Sequence, residues 1–232
     1  MTKVYCLPYA GGSKSIYNDW INEYKDVAEI IPVEYSGHGS RFGEELYKSA
    51  DGLAEDVYNT ITSDNPKDYI IFGHSMGSLI ALLTAEKLEK KYSTKPKAVI
   101  IGGTRPPHLL YKDEKLAHLP QKEFMEKFLS FDHTEPEIMN EPELLELLYD
   151  VFYADTVLAE NYNGYDNIKK ISSPMVVMTG LKDDEAPEED MREWADYCEN
   201  EFVFKAFDDG HFFPFTAPEF GDYFREILKK SK

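Results

Sequence analysis

The stretch Tyr69-Ile70-Ile71-Phe72-Gly73-His74-Ser75-Met76-Gly77 decides how the chain folds and where its chemistry lies. An apolar run of strand length leads into a serine that has a glycine two residues to either side. This order is typical of a sharp strand-to-helix turn that exposes a serine hydroxyl. Side chains at positions 73 and 77 would collide with neighbouring elements in so tight a turn, which is why glycine is expected there. The sequence therefore predicts that Ser75 is a nucleophile.

The residues that follow Ser75 strengthen this interpretation. A pattern of glycine, serine and glycine at alternate positions would occur by chance in roughly one chain in ten of this length, since glycine and serine each make up about 7% of residues. The context therefore matters more than the pentapeptide. Apolar residues recur at helical spacing behind the serine, as in a helix that packs on a sheet; they are Met76, Leu79, Ile80, Leu83 and Leu88.

Short apolar runs alternate with amphipathic patterns along most of the chain. Strand-like runs cover residues 3–7, 28–33, 69–72, 98–101, 175–178 and 202–207, and helical patterns cover 51–62, 76–91, 188–198 and 218–228. Short apolar strands are typical of a parallel sheet that is buried on both faces. We expect an α/β fold with a mostly parallel, doubly wound sheet. The length of 232 residues suits a single domain over residues 1–232.

Residues from about 105 to 170 interrupt the alternation with helical patterns and no convincing strand. Phe124 and Phe128 lie four positions apart, and prolines punctuate the segment. We expect a helical insertion here. Composition alone allows two roles for it, which are extra packing around the core and a mobile lid over a substrate channel.

The charge and hydropathy of the chain exclude several classes of partner. Asp and Glu number 43 against 25 Lys and Arg, and the net charge of −18 repels phosphate backbones and anionic lipid surfaces. No apolar run approaches the ~20 residues of a membrane span. The first residues show no secretory signal. We therefore expect a cytoplasmic protein that binds neither nucleic acid nor membranes.

The cysteines and histidines show no metal or cofactor motif. Cys6 and Cys198 lie far apart, and Cys6 falls in an apolar run, where a buried, unpaired thiol is expected. The six histidines are scattered without the close spacing of a zinc site. We expect no disulfide, no metal ion and no cofactor.

A serine nucleophile needs a base to take its proton and an acid to hold that base. In a sheet of this kind these groups follow the carboxyl ends of strands, in the chain order serine, acid, histidine. Asp183 follows the fifth apolar run, and His211 follows the sixth and is the only histidine beyond both other groups. Asp184 is the alternative acid. Asp183 is preferred because it is the third residue after Gly180, where related hydrolases place their acid.

Acyl transfer also requires hydrogen-bond donors for the developing oxyanion, usually two backbone N–H groups. Met76, directly after the nucleophile, is expected to supply one donor. The other should come from the loop Pro8-Tyr9-Ala10-Gly11-Gly12-Ser13 after the first strand, whose glycines allow a close approach of the backbone. Ala10 is the first choice in this loop and Tyr9 the second.

Six motifs together resemble the type II thioesterases that accompany nonribosomal peptide and polyketide synthases. In chain order they are Pro8-Tyr9-Ala10-Gly11-Gly12, Gly37-His38-Gly39-Ser40-Arg41, Gly73-His74-Ser75-Met76-Gly77, Arg105-Pro106-Pro107-His108, Gly180 to Asp183, and Gly210-His211. The resemblance implies an α/β-hydrolase fold with a helical lid. It also implies a Ser-Asp-His triad that hydrolyses stalled or misprimed acyl groups from the phosphopantetheine arm of acyl- or peptidyl-carrier domains.

Other functions share parts of this pattern. A small serine carboxylesterase, or an acyl-CoA thioesterase without a carrier partner, would use the same fold and triad. A carrier-binding module with a vestigial triad and an acyltransferase with an acceptor other than water are further alternatives. Because carrier domains are usually acidic, docking is expected to be mainly apolar, with local basic residues.

Two positions depart from the family pattern. Ser78 stands where a further glycine is frequent, which keeps the residue small. Tyr153-Ala154-Asp155 stands where Arg-Ala-Asp is common, so this chain lacks that arginine for a salt bridge in the insertion. His38, in the second motif, is expected to be a loop residue near the pocket.

Overall fold

A six-stranded parallel sheet forms the centre of the molecule, in a computed structural model that describes residues 1–92, 94–110, 115–130 and 142–230. The strands lie in the order β2-β1-β3-β4-β5-β6, and each neighbouring pair is parallel. The mostly parallel sheet expected from the sequence is confirmed. Its strands are β1 (Thr2–Leu7), β2 (Ala28–Pro32), β3 (Tyr69–His74), β4 (Ala98–Gly102), β5 (Met175–Gly180) and β6 (Phe202–Phe207).

The predicted strands agree with the structure, and three of them extend further at the carboxyl end. β4 continues by one residue, through Gly102. β3 continues through His74, which pairs with Gly102 of β4. β5 continues through Gly180, which pairs with Phe207 of β6. Glycine is unfavourable inside a strand, so sequence alone ended all three strands too early. These extra residues bring the strand ends to the edge where the candidate site lies.

Eight α-helices accompany the sheet in the described part of the chain. The helix predicted at 188–198 is only partly correct, because it changes to a 3₁₀ winding at Arg192–Tyr197, as helix ends often do. No helix within the described ranges is long and apolar enough to cross a bilayer. The helices are α1 (Asn18–Glu23), α2 (Ala50–Ser63), α3 (Met76–Lys91), α4 (Gln121–Ser130), α5 (Pro142–Glu160), α6 (Glu188–Met191), α7 (Phe213–Thr216) and α8 (Phe220–Lys230).

Helices cover both faces of the sheet, with a separate apolar core beneath each. On one face α2 and α3 bury Val57 and Leu79 among the side chains of one cluster. On the other face Trp20 of α1 contacts Phe72 of β3 and Phe224 of α8, with ring centroids 5.2 and 5.1 Å away. The doubly wound arrangement is confirmed, and it fixes the carboxyl ends of the strands between two packed layers.

The connection from β4 to β5 carries α4 and α5, which lie within the described part of the predicted insertion. Residues 111–114 and 131–141 of the predicted insertion lie outside the described residues. Phe128 of α4 stacks on Phe152 of α5 with ring centroids 4.4 Å apart. Aromatic contacts therefore join the two helices to each other.

Both cysteines are buried and free. Burial raises the pKa of the Cys6 thiol, which therefore stays protonated at neutral pH. The prediction of a buried, unpaired thiol at Cys6 is confirmed.

Candidate active site

Ser75 lies at the turn between β3 and α3 in a backbone conformation that residues other than glycine rarely adopt. Its φ and ψ angles are +53° and −124°. Such a conformation costs about 1–3 kcal/mol and persists only where the surroundings impose it. A Cβ atom on Gly73 would lie 2.2 Å from the Gly77 carbonyl oxygen, and one on Gly77 would lie 2.4 Å from the Leu7 carbonyl oxygen. The two glycines are therefore required for the close contact between the turn, α3 and β1.

Hydrogen bonds to β4 hold this turn in place. The Ser75 N–H donates to the Gly102 carbonyl oxygen at 2.7 Å. The Ser78 hydroxyl lies 2.8 Å from the Gly73 carbonyl oxygen and accepts the Gly102 N–H at 3.0 Å. The sequence indicates only that a small residue stands at Ser78, whereas in the structure its hydroxyl joins α3 to two strands.

Asp183 and His211 are brought together by the loops after β5 and β6. These loops pair through their backbones, where the Lys182 N–H donates to the Asp209 carbonyl oxygen at 2.9 Å. His211 Nδ1 lies 2.8 Å from Asp183 Oδ2, while Asp183 Oδ1 accepts the Glu185 N–H at 3.0 Å. The Asp183 side chain is 1% exposed and that of His211 is 19% exposed. A carboxylate only accepts hydrogen bonds, so Nδ1 carries a proton, and in the neutral imidazole Nε2 is then an acceptor.

The other acid that the sequence left open has a different position. Asp184 is exposed, and its backbone carbonyl oxygen accepts a hydrogen bond from Arg105 at 3.4 Å. Arg105 also donates from Nε to Asp190 Oδ2 at 2.7 Å. The Arg105-Pro106-Pro107-His108 motif thus joins the loop after β4 to the loop that holds Asp183.

His211 lies over the same strand ends as Ser75. Its ring centroid is 5.1 Å from that of His74, the residue that precedes Ser75. A Cβ atom on Gly103, which follows β4, would lie 3.4 Å from His211 Cε1. The loops after β3, β4, β5 and β6 therefore bring the three predicted residues to one edge of the sheet.

The loop after β1 completes this edge. The Gly12 N–H donates to the Tyr9 carbonyl oxygen at 2.9 Å and closes a turn with Ala10 and Gly11 at its centre. The amino end of α3 lies beside this loop, because Gly77 packs against the carbonyl groups of Leu7 and Pro8. A helix amino end carries N–H groups without intrahelical partners and a partial positive charge. Met76 and the turn therefore lie next to each other at this edge.

A buried acid of the insertion contacts two of the loops at this edge. Asp155 Oδ2 lies 2.8 Å from His38 Nε2 and accepts the Gly11 N–H at 2.7 Å. His38 is 4% exposed and Asp155 is 3% exposed. The sequence predicted a loop position for His38 and no partner for it. No local signal could have found a pair that is 117 residues apart.

Both nitrogen atoms of His38 face groups that accept hydrogen bonds. Nε2 faces Asp155, and Nδ1 lies 3.0 Å from the Ser36 carbonyl oxygen. Only the doubly protonated imidazolium donates to both. Burial opposes this charge, but the hydrogen bond and charge of Asp155, the Ser36 carbonyl and the charge of Glu34 outweigh it. The pKa of His38 is therefore raised above its ordinary value.

We expect His38 to stabilise the fold most at acidic to neutral pH. A pKa raised by folding adds stability below the unfolded value of about 6.5, and this stability is lost as pH rises through the folded pKa. Urea unfolding of the wild type and of His38→Gln between pH 5.5 and 9 measures the difference. The advantage of the wild type should shrink as pH rises; an advantage that grows with pH would contradict the imidazolium assignment.

Tyr153 of the insertion stands where an arginine is common in the family that the motifs resemble. Its hydroxyl donates to the Ala117 carbonyl oxygen at 3.2 Å, and its ring lies 5.6 Å from that of Phe124. The side chain therefore packs within the insertion, where it takes part in a neutral hydrogen bond.

The sequence matches the Thioesterase domain family over residues 2–230. It is 29% identical over 216 residues to Thioesterase PikA5 of Streptomyces venezuelae, covering 91% of this chain and 75% of that protein. It is 23% identical over 215 residues to the gramicidin S biosynthesis protein GrsT of Aneurinibacillus migulanus, covering 93% of this chain and 84% of that protein.

Two solved structures with the same architecture come from biosynthetic pathways. The RedJ thioesterase from the prodiginine pathway of Streptomyces coelicolor has a TM-score of 0.88 at 26% identity, covering 100% of this chain and 85% of that one. YbtT, a type II thioesterase from the yersiniabactin NRPS/PKS pathway, has a TM-score of 0.87 at 24% identity, covering 98% and 92%, and supports the fold. The resemblance and the α/β-hydrolase fold implied by the motifs are confirmed, and the chain belongs to the thioesterase domain family of thioester hydrolases.

Proposed function

We propose that this protein is an editing type II thioesterase, with a triad of Ser75, Asp183 and His211. It removes stalled or misprimed acyl groups from the phosphopantetheine arm of acyl- or peptidyl-carrier domains in the cytoplasm, and residues 1–232 act as one domain. The observation that carries the proposal is the hydrogen bond between the buried Asp183 and His211 at 2.8 Å, beside the strained Ser75 turn.

The reaction begins when the Ser75 hydroxyl attacks the thioester carbonyl carbon and His211 Nε2 takes its proton. Asp183 keeps the other ring proton on Nδ1 and stabilises the imidazolium. The oxyanion of the tetrahedral intermediate accepts hydrogen bonds from the N–H groups of Met76 and Ala10, with Tyr9 as the alternative to Ala10. The intermediate then collapses, the C–S bond breaks, and His211 returns the proton to the departing thiolate.

Water completes the cycle. His211 Nε2 takes a proton from a water molecule, whose oxygen attacks the acyl-serine ester. A second tetrahedral intermediate breaks the ester bond, His211 returns the proton to Ser75, and a carboxylic acid leaves. The serine and the carrier thiol are both regenerated, and no cofactor is consumed.

The carrier partner is supported by the pathways in which the relatives work. GrsT is named for gramicidin S biosynthesis and YbtT for an NRPS/PKS pathway. Near the candidate site, the loop after β5 exposes 57% of Leu181, next to Lys182, whose ammonium group pairs with Asp208 Oδ1 at 2.9 Å. An exposed apolar side chain at this edge suits the mainly apolar docking expected between an acidic carrier and a protein of charge −18.

Three substrates with one acyl group test this proposal. We expect kcat/KM to be highest for the acyl-carrier domain, lower for the matching acyl-CoA and lowest for a simple oxygen ester. A preference for the oxygen ester would identify a carboxylesterase, and equal rates on carrier and CoA would remove the carrier partner. Analysis of the products by mass spectrometry separates hydrolysis from transfer to another acceptor.

A further inference from the structure

In the turn after β1, the N–H group of Gly11 points away from the turn. Gly11 has a φ of +74°, as the third residue of a type II turn does, and the Gly12 N–H closes that turn. The N–H of Gly11 belongs to the central peptide and donates to Asp155 Oδ2 at 2.7 Å. A residue of the insertion therefore fixes the orientation of this peptide.

Helix α5 lies directly on the same turn. A Cβ atom on Gly11 would be 2.3 Å from a ring carbon of Phe152, which leaves no room for a side chain between helix and turn. Phe152 and Asp155 lie three positions apart and hence on one face of α5. That face holds the turn by an apolar contact and by a hydrogen bond.

The Asp155 carboxylate is itself held from a second loop. His38 donates to the same oxygen, Oδ2, at 2.8 Å, from the loop that follows β2. A buried carboxylate without such partners would be costly, so its position is tightly defined by these two donors. The two loops and the insertion therefore meet at one oxygen atom.

The proposed oxyanion donor lies in the peptide next to the one that Asp155 holds. The turn bond from Gly12 to Tyr9 and the bond from Gly11 to Asp155 flank Ala10 on both sides. An oxyanion hole is effective because its donors are already aimed before charge develops. Any loss of the Asp155 contact frees the central peptide of the turn to rotate.

From these contacts we propose that Asp155 is a positioning residue for the oxyanion hole, which is complete only while α5 is seated on the turn. This inference rests on the proposed thioesterase function. It assigns to the insertion a part in stabilising the transition state, beyond covering the site.

A comparison of Asp155→Ala, Asp155→Asn and Glu160→Ala tests the inference. Glu160 is a matched control on the same helix: it is 4% exposed and accepts the N–H groups of Leu116 and Ala117 within the insertion. For each variant we would measure kcat and KM, the inhibition constant of an acyl trifluoromethyl ketone, and the Kd of an unreactive acyl-pantetheine amide. The ketone forms a tetrahedral oxyanion on the serine, whereas the amide reports on binding of the ground state.

We expect Asp155→Ala to lower kcat by roughly 10- to 100-fold. This decrease is at most as large as the decrease in kcat when an oxyanion-hole donor is removed entirely. The ketone should bind more weakly by a similar factor, while KM and the amide Kd change less than about threefold. Asp155→Asn should recover most of the rate, because its amide oxygen can still accept the Gly11 N–H. Glu160→Ala should lower the unfolding temperature and leave the ratio of ketone to amide affinity as in the wild type.

A second variant covers the case in which Asp155→Ala does not fold. The double variant Asp155→Leu with His38→Leu removes both members of the pair, so that no unpaired charge stays buried. An unchanged ketone-to-amide ratio in either folded variant, or the same change in Glu160→Ala, would overturn the inference. Wild-type protein that hydrolyses no acyl thioester and does not bind the ketone would instead overturn the proposed function.

Discussion

Replacement of Ser75 by alanine is expected to lower kcat/KM for an acyl thioester by on the order of 10⁴- to 10⁶-fold. Without the hydroxyl no acyl-enzyme forms, and only the donors and substrate binding remain. The fold should persist, since the bonds that hold the turn come from the Ser75 N–H and from Ser78. Steady-state rates on an acyl-carrier domain measure the loss of activity. Circular dichroism and thermal unfolding measure whether the fold persists.

An exposed serine provides the control for this variant. Ser63, at the end of α2, donates to the Asn59 carbonyl oxygen at 2.7 Å and lies outside the candidate site. Ser63→Ala should keep the rate of the wild type and its labelling by a serine-directed fluorophosphonate. Ser75→Ala should lose the label. A Ser75→Ala protein that stays within tenfold of the wild-type rate, or is still labelled, would remove Ser75 from the mechanism.

Features of the fold that depend on local sequence were predictable. Apolar runs located the strands, and the glycines at 73 and 77 located the turn, because burial and close contact select residue types at fixed spacing. The order of chemical groups after successive strands then indicated Ser75, Asp183 and His211. Strand ends that contain glycine, such as Gly180, were missed because glycine has a low strand propensity.

Features that depend on tertiary contacts were not predictable in the same way. The bonds from His38 to Asp155 and from Arg105 to Asp190 join residues that are 117 and 85 positions apart. Neither pair leaves a periodic or spacing signal in one sequence. The sequence preferred Asp183 over Asp184 from its place after Gly180, and the burial of each carboxylate is a second criterion that a doublet of aspartates does not reveal.

Asp183→Asn is expected to lower kcat by about 10³- to 10⁴-fold with little change in KM. The two carboxylate oxygens of Asp183 accept from the Glu185 N–H and from His211 Nδ1. Asparagine has one oxygen and one NH₂ group. The Glu185 N–H can only donate, so the asparagine oxygen must stay on the side of Glu185. The NH₂ group then faces His211. The imidazole then keeps its proton on Nε2, which is the wrong tautomer for a base.

Asp184→Asn is the matched control, and it also decides between the two acids that the sequence left open. Asp184 is exposed, and its contact with Arg105 uses the backbone carbonyl oxygen, which this substitution retains. Its kcat should therefore stay within about threefold of the wild type, as for most surface substitutions. The kcat of Asp183→Asn and of Asp184→Asn, measured at equal concentrations of folded protein, shows which of the two acids orients His211. If Asp184→Asn lost more activity than Asp183→Asn, the buried hydrogen bond to His211 would not be the one that orients the base.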